Sequence, residues 1–228
     1  MLFIFVSDPS QLSAVEYPDP SSDPYIPFTL QAPWYADVAW TAGGSGSFYG
    51  DDPYHHLADN WALDFNAPDR SDKDTLVLAA ADGSVVKADC SPSNGSLGCV
   101  VTLGHIAYEG YCFQSIYAHL LTDSFLVSVG DWVPQGYPLA RVGSTGLDPD
   151  LEHLHFAIHR RPVSECGANS AYAYREDMAV VPEPLGGTID IEDGQLITST
   201  TYPVGLPTLD LGQLSSPSSP FLQAAQPI

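Results

Sequence analysis

The chain has 228 residues, 44% of them hydrophobic, enough for one domain with a sizeable core and some appended segments. Seven Lys plus Arg stand against 28 Asp plus Glu, a formal net charge of −21 at pH 7, so long-range repulsion argues against nucleic acid or an anionic membrane surface as partner. No run reaches the ~20 apolar residues of a membrane-spanning helix, and the apolar start Met1–Val6 lacks the basic region and small-residue cleavage site of a signal peptide.

In chain order, residues 1–27 are rich in Pro, Ser and Asp and read as an extended arm. From residue 28 to about 163 the pattern is compact and β-rich. Thr75–Ala81 and Ser84–Ala88 read as two strands about the tight turn Asp82-Gly83. Cys90, Cys99, Cys112 and Cys166 have no CxxC spacing, which argues against a zinc–cysteine site. A Cys90–Cys99 disulfide closing the Ser/Gly/Pro/Asn loop is favoured, with free buried thiols as the alternative. Val100–His105 and Phe113–His119 flank a loop holding Glu109-Gly110, Leu139–Val142 follows a turn-rich stretch, and His153–His159 is the last strand of the block. No segment sustains a 3.6-residue apolar period, so helices should be few and short. The expected fold is all-β, mainly antiparallel: a sandwich or partly open barrel. Residues 164–205 read as an extension packing on this domain, with a strand or two in 188–202, and 206–228 as a low-complexity tail.

All seven histidines lie between residues 55 and 159. His153 and His155, two apart on an extended strand, project to one side while Leu154 and Phe156 pack behind. Tyr117-Ala-His119-Leu puts another imidazole on a neighbouring strand. Asp64 sits within Trp61-Ala-Leu-Asp-Phe65, where burying a carboxylate without a cation is expensive. Two fixed imidazoles with a distant carboxylate are what a zinc ion needs.

These blocks, with Ala80-Ala-Asp-Gly-Ser-Val85, Val129-Gly-Asp-Trp-Val-Pro-Gln-Gly136 and Val142-Gly-Ser-Thr-Gly146, resemble in type and order the lysostaphin/LytM-type zinc metalloendopeptidases, which cut peptide bonds in bacterial peptidoglycan. The resemblance implies one zinc ion held by an upstream histidine, Asp64 and His155, with His119 and His153 as the catalytic pair assisting a metal-activated water. The commoner family spacing puts the first ligand at position 60, which is Asn60 here. A displaced histidine is expected instead: His56 is chosen because its loop needs the least extra length, with His55 close behind. The implied substrates are peptidoglycan peptides or glycine-rich peptides, approached through the glycines of 43–46 and 143–146. The implied setting is extracellular or in the cell envelope, and the implied state a monomer. The alternative is a catalytically degenerate module that binds cell wall or regulates a partner hydrolase. Among nearby residues, Glu152 is expected to face away, Asp59 to be a solvated loop acid rather than a partner of a ligand histidine, and His159 to lie at the surface. His105 reads equally as cleft-lining or structural.

Overall fold

A computed structural model of the chain describes residues 26–43, 55, 59–69, 71–146, 151–165 and 179–204. His56, the tail beyond 204 and nearly all of the N-terminal arm lie outside the described residues.

Among the described residues, eleven strands run in chain order: β1 (Ala39–Ala42), β2 (Leu63–Asn66), β3 (Leu76–Leu78), β4 (Gly83–Asp89), β5 (Val100–Tyr108), β6 (Tyr111–Ala118), β7 (Trp132–Val133), β8 (Pro138–Arg141), β9 (Leu154–Pro162), β10 (Ala179–Val180) and β11 (Leu196–Thr198). Nine of them form one sheet in the order β11-β1-β2-β9-β6-β5-β4-β7, with β10 also pairing with β9, while β3 and β8 form a separate pair. Every strand pairing is antiparallel, and the described sheets do not close into a barrel. The helical turns among the described residues are the 3-10 segments Pro92–Leu97 and Val163–Glu165. None of the described helices is long and apolar enough to cross a membrane.

The β5–β6 hairpin follows from its turn. Glu109 and Gly110 both take positive φ, 48° and 84°, as a two-residue connection matched to strand twist requires. The expected hairpin across Asp82-Gly83 is not formed: β3 pairs with β8, whereas β4 pairs with β5 and β7. The turn dipeptide is present, but buried Val77 and Leu78 are taken by Ala140 and Pro138. A local turn signal loses here to the apolar surface a distant strand offers.

The core fills the space between the large sheet and the layer made by β3, β8 and the stretch 26–34. Trp34 stacks on Trp40 with ring centroids 4.9 Å apart, and Phe65, Phe156 and Tyr117 continue the aromatic layer. Burial of rings this large dominates the apolar gain. The Tyr117 hydroxyl is satisfied there by the Ala80 N–H at 2.8 Å. Residues 179–204 lie against the same body: β10 adds to β9, β11 adds to β1, and Ile191 and Ile197 join the core.

Cys90 and Cys99 are disulfide-bonded, nine positions apart, and no described cysteine is free. The bridge closes the loop containing the 3-10 turn Pro92–Leu97 and ties β4 to the start of β5.

Candidate metal centre and neighbouring histidines

The period of two along β9 sends Leu154, Phe156 and Ile158 into the main core and leaves His155, Ala157 and His159 on the opposite face. β9 lies between β2 and β6, and its register sets Asp64 directly across from His155 on one side and Ala118 across from it on the other. Directly opposed residues carry side chains about 5 Å apart on one face. Asp64 and His155 therefore meet although 91 positions separate them, with Asp64 Oδ1 3.2 Å from His155 Nδ1. His55, from the segment before β2, brings its Nε2 to 3.3 Å from the same oxygen. His153 Nε2 lies 3.2 Å from Asp64 Oδ2.

His119 follows the last residue of β6 with φ of +58°, a left-handed conformation uncommon for a residue with a side chain. Its backbone is held at both ends: its N–H donates to Leu97 O at 3.0 Å, and its carbonyl accepts from the Gly143 N–H at 3.0 Å. The ring is 4.6 Å from that of His153 and 5.7 Å from that of His155, centroid to centroid. His119 Nδ1 lies 3.0 Å from Thr145 O and His153 Nδ1 2.9 Å from Leu151 O. A carbonyl only accepts, so both rings carry hydrogen on Nδ1, and in their neutral forms Nε2 is the bare nitrogen.

His55, Asp64 and His155 are all buried, and one donor atom from each lies within 4.8 Å of the others. Donors bonded at roughly 2 Å to a shared zinc ion sit about 3–4 Å from one another, and the 3.3 and 3.2 Å from Asp64 Oδ1 to the two nitrogens match that spacing, so the set fits such an ion. Burial would raise the Asp64 carboxyl, but the His153, His155 and His55 rings hold it well below the ordinary carboxylate range. Burial, reinforced by the His153 and His155 rings, pushes His119 down to about 3. Burial alone would lower His155 as well, yet the Asp59 and Asp64 carboxylates outweigh it and raise the ring to about 10.

Residues 59–168 match the family model described as peptidase family M23. Over those residues, just under half of the chain, it is similar to peptidase family M23. Among solved structures, it is similar to the catalytic domain of the antimicrobial peptidase lysostaphin from Staphylococcus simulans, at 26% identity over 61% of this chain and 88% of that one, with a TM-score of 0.44. It is also similar to lysostaphin itself, at 25% identity over 68% of this chain and 52% of that one, TM-score 0.47, so it spans about half of lysostaphin's length. A zinc-containing peptidase from Vibrio cholerae is similar at 22% identity over 59% of this chain and 37% of that one, TM-score 0.38. No curated protein matches the chain.

Within the stretch that matches the family model, the sequence-based expectations for Asp64, His119, His153 and His155 fall on residues that the structure brings together. His56, the expected first ligand, lies outside the described residues; among those described, His55 completes the cluster. Two expectations are corrected. Asp59 is not a solvated loop acid but is mostly buried, with Oδ1 3.8 Å from His155 Nε2 and 3.4 Å from His159 Nε2. His159 is not at the surface: it is 1% exposed. The sign available in the sequence was the spacing, since 155 and 159 share a strand face. Glu152 pairs with Lys73 instead of joining the cluster. His105 is structural, its Nδ1 2.7 Å from Asp82 O and its Nε2 2.9 Å from Ser115 Oγ. The glycines of 143–146 serve packing: a Cβ on Gly146, where φ is +82°, would come within 2.0 Å of Ser96 O, and one on Gly143 within 2.8 Å of the Leu121 backbone.

Proposed function

We propose that this chain is a zinc-dependent endopeptidase that hydrolyses peptide cross-links of bacterial peptidoglycan, acting outside the cell or in its envelope. The observation that carries the reading is the buried His55–Asp64–His155 donor set with the His119 and His153 rings beside it. Two nitrogens and one carboxylate oxygen suit zinc and leave coordination positions open. Zinc bound there supplies a Lewis acid for a peptide carbonyl and brings the pKa of a water it holds towards about 7.

The chain's own residues account for the rest. His55 Nε2, Asp64 and His155 Nδ1 would hold the ion. His119 and His153, each anchored through Nδ1–H to a backbone carbonyl, offer Nε2 for proton work: one takes the proton released by the attacking water and passes it to the amide nitrogen as the C–N bond breaks, and the other, in its protonated form, donates a hydrogen bond to the carbonyl oxygen as it becomes anionic. No glutamate base is needed, and Glu152 is engaged by Lys73.

The deciding experiment quantifies zinc in purified protein and measures turbidity clearing of purified cell walls by wild type and His155→Ala. One zinc per chain with clearing by wild type alone is expected. A wild type that folds, holds no zinc and clears nothing would instead favour the degenerate, wall-binding module that Asn60 raises as an alternative.

A further inference from the structure

We propose that Asp59, braced by His159, is a positioning residue for His155: its carboxylate holds the ring at Nε2 so that Nδ1 is the atom presented beside Asp64 and His55. The inference rests on the metal-binding reading above and adds two residues to it.

The geometry comes from β9 and the turn before β2. His155, Ala157 and His159 share one face of the strand, and the residue between the two imidazoles is small. Ala157 packs only with Ala62 and Ile116 in its own buried cluster, which leaves width for a carboxylate to enter between the rings. The Ala62 N–H donates to the Asp59 carbonyl at 2.8 Å, fixing the turn that delivers this side chain. Asp59 Oδ1 then lies 3.8 Å from His155 Nε2 and 3.4 Å from His159 Nε2. These three atoms are buried and none makes a hydrogen bond within the described residues, so the charge contact across 3.4–3.8 Å is what each has to answer its burial.

A buried carboxylate between two rings is stable only where those rings turn protonated nitrogens towards it. For His155 this puts hydrogen on Nε2, and the ring's other nitrogen is the one 3.2 Å from Asp64 Oδ1. A carboxylate on the far nitrogen of a ligating imidazole selects its tautomer, fixes its plane and strengthens it as a donor. His159 does for Asp59 what Asp59 does for His155: it stops the acid from swinging away.

The test compares wild type, Asp59→Asn and His159→Gln for zinc dissociation constant by chelator competition, for the visible spectrum of the cobalt-substituted protein, and for circular dichroism of the zinc-free protein. Asp59→Asn keeps the shape and removes the charge. It should weaken zinc about 10- to 100-fold and alter the cobalt bands while the zinc-free spectrum stays native. His159→Gln should weaken zinc in the same direction by a smaller factor, and it carries the test if Asp59→Asn does not fold. If wild type binds zinc and the folded variants bind it within twofold of wild type with unchanged cobalt bands, the inference is overturned alone. A wild type that binds no zinc overturns the metallopeptidase reading and this inference with it.

Discussion

Asp64 sits among three imidazoles, with both oxygens engaged at 3.2–3.3 Å, and removing it would leave those rings converging on nothing. The site residues divide by which atom faces the cluster. His55 and His155 present a nitrogen within reach of a common centre with Asp64, whereas His119 and His153 are tethered by Nδ1 to carbonyls of the loops beside them. Asp64→Ala and His155→Ala should therefore reduce zinc content to below about a tenth of an equivalent. His119→Ala and His153→Ala should keep close to one zinc per chain and lose about 100-fold or more in wall hydrolysis, the scale of a lost general base or oxyanion donor. Zinc content and clearing rate measured on the same preparations check the division, and full activity in any of the four would sink it. The HxH pair was legible because two-residue alternation is a property of any strand. The choice between His55 and His56 was not, because a histidine returning from an irregular segment leaves no period to read; of the two, His55 is the one that the described residues place in the cluster. Asp59 was missed for a related reason: a carboxylate in a turn reads as solvated unless the strand it meets, almost a hundred positions later, is already known.

At the scale of elements, the end of β6 that carries His119 is held by two segments far from it in sequence. The disulfide-closed loop supplies the Leu97 carbonyl to His119 and the Cys99 carbonyl to Leu120, and the Thr145 hydroxyl joins the Cys99 N–H to Leu120 O. Gly98 and Gly146 allow these backbones to meet, since a Cβ on Gly98 would lie 2.3 Å from the Thr145 backbone. At the other end of the sheet, His105 ties β5 to the turn entering β4 and to β6 through Asp82 and Ser115, with its ring 4.7 Å from that of Phe28. Burial lowers this histidine to about 4, against the hydrogen bond to Asp82 and its charge. The unfolded chain, with an ordinary histidine near 6.5, therefore binds more protons than the folded one between about pH 6.5 and 4. Stability rises with pH across that window and falls on acidification. The contribution is on the order of 2 kcal/mol once the ring's partial exposure is allowed for. Urea unfolding of wild type and His105→Gln at pH 7.5 and 4.5 isolates it: the stability advantage of wild type should shrink by about that amount at the lower pH. An advantage equal at the two values would show that the ring stays accessible to protons in the folded protein.

In the described residues the large sheet is centred on β9, which carries the candidate metal-binding face; β11 extends the sheet beyond β1, and β10 pairs with β9 itself. The all-β class and most strands could be read from alternation and turn residues. The pairing of β3 with β8 could not, since it is decided by which apolar strip covers the aromatic layer, not by any local signal. Charge is the property that acts over the full body. With 28 acids against 7 Lys plus Arg, cations are few, and three of the five in the described residues stand beside particular acids: Lys73 by Glu152, Lys87 by Asp89 and Arg141 by Asp74. Self-repulsion of the remaining acids opposes the compact state and reaches across the surface when the screening length is long. That length falls from about 10 Å at 0.1 M salt to about 3 Å at 1 M. Raising sodium chloride from 0.05 to 0.5 M should thus stabilise the protein by about 1 kcal/mol, roughly 2–4 °C in Tm for a chain of this size. Thermal unfolding at fixed pH and fixed zinc content measures it. A Tm that is flat or falls with salt would mean that the ion pairs already described, which salt weakens, outweigh the repulsion among the unpaired acids.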